Sequence, residues 1–104
     1  MLVAFSVAPS GGDDAGVSEA VAEAVRVVRE SGLPHETTSM FTTVEGEWDE
    51  VMDVVRRATE AVSQRAPRTS LVIKADIRPG RTNQLEEKVR SIDRRLGVDG
   101  ANEQ

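Results

Sequence analysis

The apolar periodicities along the chain predict an α+β fold: a ferredoxin-like β-α-β-β-α-β sandwich, with an antiparallel four-stranded sheet of order 4-1-3-2 and an extra C-terminal helix. Three observations predict it. Two stretches of period-2 alternation, residues 2–8 and 69–77, stand near opposite ends of the chain. Two stretches of helical period follow a strand each, and a Thr-rich run over residues 35–45 reads as a hairpin between them. Two strand-helix-strand halves of this kind make two split β-α-β units.

The first strand alternates Val3, Phe5 and Val7 against Leu2, Ala4, Ser6 and Ala8. Both sets are apolar or small, as in a central strand covered on both faces. Pro9 is expected to end it, and residues 10–16, rich in Gly and Asp, read as a loop. Ser18 suits the N-cap of a helix over about 19–31, with Val21, Ala24, Val25 and Val28 on its buried side. Gly32 supplies the left-handed C-terminal position and Pro34 blocks continuation.

Residues 35–40 and 42–45 read as the hairpin strands, with Phe41 at or near the connection. Gly46 then releases the chain into a second helix. Its first turn gathers Glu47, Asp49 and Glu50 at the positive end of the helix dipole, and Val51, Val55, Ala58 and Val62 form its buried stripe with Trp48 and Met52 alongside. Pro67 closes it. Residues 69–77 place Leu71, Ile73, Ala75 and Ile77 on one side and Ser70, Val72, Lys74 and Asp76 on the other. Asn83 with Glu86 resembles a capping box for a third helix edged by Leu85, Val89, Ile92 and Leu96. A single domain over residues 1–96 is expected, with 97–104 a frayed tail.

With the two main helices on one face of the sheet, the other face is expected to be bare. Alternation assigns Ala4, Ser6, Ala8, Thr43, Glu45, Val72, Lys74 and Asp76 to it. A half-wetted sheet surface carrying an exposed pair of Lys74 with Glu45 or Asp76 accounts for these residues without function. A patch of small side chains with two hydroxyls, an amine and two carboxylates also suits a flat ligand or a second sheet.

Composition narrows the classes. Hydrophobic residues make up 38% and aromatics 3% of the 104 residues, so the core rests on Val, Ala, Leu and Ile and is thin for a monomer. The net charge is −5, with eleven Arg and two Lys dispersed among the acids, which argues against nucleic acid as a partner. Cysteine is absent, so thiolate catalysis, disulfides and Cys-ligated metals are excluded. No stretch reads as a membrane span or basic leader, and a cytoplasmic protein is expected. His35, the sole histidine, has no Ser or Cys at a recognised spacing, and no phosphate-cradling glycine motif is present. No catalytic constellation or metal site is therefore expected.

Ser6-Val7-Ala8-Pro9, the helix segment 17–25, Arg29-Glu30-Ser31-Gly32-Leu33-Pro34, Thr42-Thr43-Val44-Glu45-Gly46-Glu47-Trp48-Asp49-Glu50-Val51 and Val72-Ile73-Lys74-Ala75-Asp76 resemble the small thiamine-binding protein family up to about Leu96. The resemblance implies a ferredoxin-like subunit in homodimers or tetramers. It also implies noncovalent binding of thiamine or its hydroxymethylpyrimidine moiety, with no catalytic activity and no cofactor beyond that ligand. The matching motif residues are Ser6, Thr43, Glu45 and Lys74, all assigned to the bare face by alternation. The chain departs from the family in its Gly- and Asp-rich 10–16 loop and in Phe41, where Gly is common, and both changes bear on access to a pocket. A structural or regulatory homo-oligomer without a vitamin ligand is the alternative reading.

Overall fold

The computed structural model describes residues 1–10, 14–79 and 84–96. The elements follow in the order β1 (Leu2–Ser10), α1 (Asp14–Glu30), β2 (His35–Thr37), β3 (Thr42–Glu45), α2 (Trp48–Ser63), β4 (Arg68–Asp76) and α3 (Gln84–Arg95). The sheet order is β2-β3-β1-β4, which is the expected order read from the other edge, and every neighbouring pair is antiparallel.

Register follows the pleat. Val3 faces Val44 on β3 and Ala75 on β4, while Ala4 faces Thr43 and Lys74. The helix-side residues Val3, Phe5 and Val44 join Ala20, Ala24 and Val28 of α1 and Val51, Val54, Val55, Ala58 and Val62 of α2 in one buried cluster. Fully burying an aliphatic side chain of this kind contributes about 1.5–3 kcal/mol, so a core of small aliphatics must be dense to hold.

Local signals explain most boundaries. Gly32 adopts φ +76 after α1, and the Ser31 hydroxyl donates to Val28 O at 2.6 Å. Glu47 caps α2 in a capping box: its side chain accepts from the Glu50 backbone N–H, and Glu50 Oε1 accepts from Glu47 N at 3.1 Å. Across the start of the sheet, the Met1 amino group donates to Gly46 O at 2.7 Å, and Gly46 N donates to Met1 O at 3.1 Å.

Several expectations are corrected. β1 continues through Pro9, which faces Thr69, to Ser10, which faces Arg68; a residue without an N–H is tolerated there because, among the described residues, one flank of this stretch has no strand beside it. Helix α1 starts at Asp14, so Ser18 lies inside it and is not its N-cap; Gly16 read as a loop residue, yet a helix absorbs a glycine for about 1 kcal/mol. The first hairpin strand is only His35–Thr37, because Thr38–Phe41 forms the turn, with Thr38 N donating to Phe41 O at 2.9 Å. Leu71 and Ile73 point to the helix side as expected but remain 39% and 40% exposed, since β4 lies beyond the cover of the two main helices. Trp48 is 55% exposed instead of packed beside the α2 stripe.

Among the described residues the opposite face is uncovered except at one end, where Glu45 is buried against the first turn of α3 and its row neighbour Leu2 is buried as well. Farther along α3, Val89, Ile92 and Leu96 stand exposed. The expected cap residue Asn83 and the 97–104 tail lie outside the described residues.

Candidate functional site

The pleat orients Ser6, Thr43, Glu45 and Lys74 to the face opposite the two main helices, but the register spreads them. Thr43 and Lys74 flank Ala4 in one row of the sheet, Glu45 and Asp76 flank Leu2 in the next, and Ser6 lies in a third row beside Val72. Glu45 and Lys74 are therefore separated by two strand spacings across β1 and one row along it, about 12 Å. No ion pair joins Lys74 to either carboxylate: Glu45 turns to α3, and Asp76 approaches Arg78 at 3.9 Å.

The Glu45 carboxylate is committed elsewhere. At 7% exposure it accepts from Gln84 N through Oε2 at 2.7 Å and from Leu85 N through Oε1 at 3.4 Å. It thus satisfies the first free amides of α3, at the helix end where a negative charge is stabilised. A ligand group directed at Glu45 competes with those amides.

A cavity of about 230 Å³ lies beyond the N-terminal end of β3, past Thr42. It forms because the two strands differ in length. β3 pairs with β1 only as far as the Phe5–Thr42 row, whereas β1 runs on to Ser10 against β4. On the β3 side, β1 therefore has no strand opposite residues 6–10 among the described residues. Phe5–Ala8 form one wall, Val21, Ala24, Val25 and Val28 of α1 a second, and Thr37–Thr42 of the hairpin the third. The small side chain of Ala24 leaves volume that a larger residue would fill. Val21 and Val25, expected in the core, are the partly exposed lining of this space.

The lining is apolar with a rim of hydroxyls. Thr37 Oγ1 and Thr42 Oγ1 lie 3.5 Å apart, while Thr38 Oγ1 donates to Phe41 O at 3.1 Å and accepts from Phe41 N at 3.2 Å, which ties the turn into a fixed roof. No lining residue carries an ionisable side chain. Such a cavity can sandwich a flat heterocycle between aliphatic walls and address its edge with neutral donors and acceptors. Among the described residues no cluster of His, Cys, Asp or Glu is placed to hold a metal ion.

Ser6 is the member of the sequence-derived set that lines this cavity. The hydroxyls of Thr37, Thr38, Ser39 and Thr42 were not singled out from sequence. The available signal was the concentration of hydroxyls in the hairpin run, Thr37, Thr38, Ser39, Thr42 and Thr43.

A family model described as thiamine-binding protein matches residues 3–93. A UPF0045 protein of Mycobacterium tuberculosis is 58% identical over 97 residues, covering 92% of this chain and 94% of its own length. Among solved structures, a hypothetical protein of Methanocaldococcus jannaschii superposes with TM-score 0.78 at 30% identity, covering 88% of this chain and 93% of that one. A Thermotoga maritima structure, described as a candidate thiamine biosynthesis/salvage protein, superposes with TM-score 0.75 at 31% identity over 88% of this chain and 96% of its own.

Proposed function

The chain belongs to the thiamine-binding protein family, and on that premise we propose that it binds thiamine or its hydroxymethylpyrimidine half noncovalently, as a cytoplasmic homo-oligomer that does no chemistry on the ligand. The observation that carries the reading is the uncharged, hydroxyl-rimmed cavity between β1, α1 and the hairpin. An aminopyrimidine is flat and neutral, with an amino donor and ring-nitrogen acceptors that Ser and Thr hydroxyls match. Its faces lie against Val21, Val25 and Phe5.

The thiazolium of thiamine is a permanent cation and gains nothing from an uncharged pocket. The pyrimidine half therefore enters, and the thiazolium stays toward solvent, where a chain of net charge −5 tolerates it. Within the set implied by the family resemblance, Ser6 is assigned to direct ligand contact. Thr43 and Lys74 line the open face, and Glu45 serves α3.

Titration calorimetry with thiamine and with hydroxymethylpyrimidine tests this. Saturable heat with both, abolished by Val25→Phe in a protein of unchanged circular dichroism, supports the cavity as the site. Silence with both ligands overturns the reading in favour of a structural or regulatory homo-oligomer, and binding undiminished by Val25→Phe puts the ligand elsewhere.

A further inference from the structure

We propose that the main-chain N–H and C=O of Val7 are the groups that read the ligand ring, so that an aminopyrimidine takes the place in the sheet of a strand residue opposite Val7. This recognition rests on the thiamine-binding reading above and selects the ring within that cavity.

The hydrogen-bond phase of the sheet sets the direction of these groups. Along an antiparallel pair, opposed residues that exchange both N–H···O bonds alternate with opposed residues that exchange none. Met1 and Gly46 exchange both, at 2.7 and 3.1 Å. In the register that follows, Val3 with Val44 and Phe5 with Thr42 are the next bonded pairs. Val7 is therefore the next residue of β1 to turn its N–H and C=O to that flank, while Leu2, Ala4, Ser6 and Ala8 turn theirs to β4. The β2–β3 pair keeps the same phase: Glu45 N donates to Pro34 O and Thr38 N to Phe41 O, each at 2.9 Å, which leaves Val44 and Thr42 to bond β1. Pro9 fits as well, because the N–H it lacks would have pointed to the flank with no strand.

β3 begins at Thr42, so among the described residues no strand stands opposite Val7. The cavity stands there instead, and Val7 lines it together with the turn residues Thr38–Phe41. A donor and an acceptor thus face the cavity side by side, held in place by β4, which pairs with β1 along its other flank from Leu2 to Ser10. Main-chain groups at a partly buried residue cost free energy unless water or a ligand pairs them. Their complement is a ring nitrogen that accepts beside an amino group that donates, which is one edge of a 4-aminopyrimidine. A ring bonded to both lies in the plane of the sheet, with Val21 and Val25 of α1 against one face. The hydroxyls of the rim rotate to suit either polarity, but the main chain cannot. An oxo group in place of the amino group puts a ring N–H against the Val7 N–H and an oxygen against the Val7 C=O, so Val7 rejects the oxo ring.

Titration calorimetry of the unmodified protein with thiamine and with oxythiamine, its oxo counterpart, tests the selection, and amide exchange followed by NMR tests its place. Oxythiamine is expected to bind at least about 30-fold more weakly than thiamine, because it leaves two main-chain groups unpaired. The Val7 amide is expected to exchange freely in the unliganded protein and at least about 10-fold more slowly at saturating thiamine, whereas Ser6 and Ala8, bonded to β4, are protected in both states. Equal affinity for the two compounds assigns recognition to the adaptable hydroxyls and overturns the Val7 edge while leaving thiamine binding intact. A large preference for thiamine with no change at the Val7 amide also overturns it, placing the selective groups elsewhere. Silence with thiamine and with hydroxymethylpyrimidine overturns both readings.

Discussion

The carboxylate of Glu45 accepts a hydrogen bond from the backbone N–H of Gln84 at 2.7 Å, across 39 residues of sequence. This contact fixes where α3 starts on the sheet. Beside it the Gln84 side-chain amide is buried at 4% exposure with neither its nitrogen nor its oxygen bonded, so the first turn of α3 carries an unsatisfied polar group that the Glu45 cap must offset. Replacing Glu45 with Gln keeps the shape but turns an NH2 toward one of the two backbone donors. Glu45→Gln is expected to lose about 1–3 kcal/mol of stability in denaturant titration, with faster amide exchange at residues 84 and 85. Unchanged stability with weakened thiamine binding would return Glu45 to the ligand site.

The cavity lining offers no cation to a phosphate. A hydroxymethylpyrimidine phosphate must therefore keep its dianion in water or lose hydration without compensation. Its affinity is expected to fall at least about 10-fold below that of the unphosphorylated alcohol, equivalent to about 1.4 kcal/mol. Competition calorimetry with the two compounds measures the ratio, and equal affinity would place an unrecognised cation beside the ligand.

Trp48 and Val54 stand six residues apart on α2, one largely exposed and one fully buried. Trp48→Ala removes the larger side chain yet is expected to cost under about 1 kcal/mol, because most of its surface is already in water. Val54→Ala is expected to cost more, about 1–3 kcal/mol, through lost burial and a residual cavity. Chemical denaturation of the two variants at equal protein concentration ranks them. The reverse order would show Trp48 covered in the assembled protein.

On the exposed side of α2, Asp53 meets Arg56 at 2.6 Å and Arg57 at 3.0 Å. The Arg56 hydrogen bond, followed by the charges of both arginines, holds the Asp53 carboxyl below its ordinary value of 3.8. A carboxyl whose pKa is lower when folded stabilises the fold above its unfolded pKa, and that contribution is lost as pH falls through the folded pKa. Asp53 is thus expected to favour the fold at neutral pH and to release its contribution only below about pH 4. Carboxyl-resolved NMR titration of the wild type, compared with an Arg56→Ala variant, should show the Asp53 midpoint rise in the variant.

Strand alternation and the stop of α1 at Gly32 were legible in the sequence because they are local, whereas the start of α1 was not. Val3, Phe5 and Val44 face the helices, and Ala4, Thr43 and Lys74 face away, since the pleat sets side-chain direction residue by residue. The turn at Gly32 was legible for the same reason, as it depends on one residue tolerating φ > 0. What covers each face was not legible. Leu71 and Ile73 point the right way yet stay partly wet, because the reach of two helices over a four-stranded sheet is set by packing and not by periodicity. The cavity depends on β3 pairing with β1 only from Thr42, opposite Phe5, while β1 continues to Ser10, a mismatch visible only once the strands are paired. Glu45 shows the division most clearly: alternation gave its direction, but its partners are amides 39 and 40 residues away, and only the folded chain brings them within hydrogen-bonding distance.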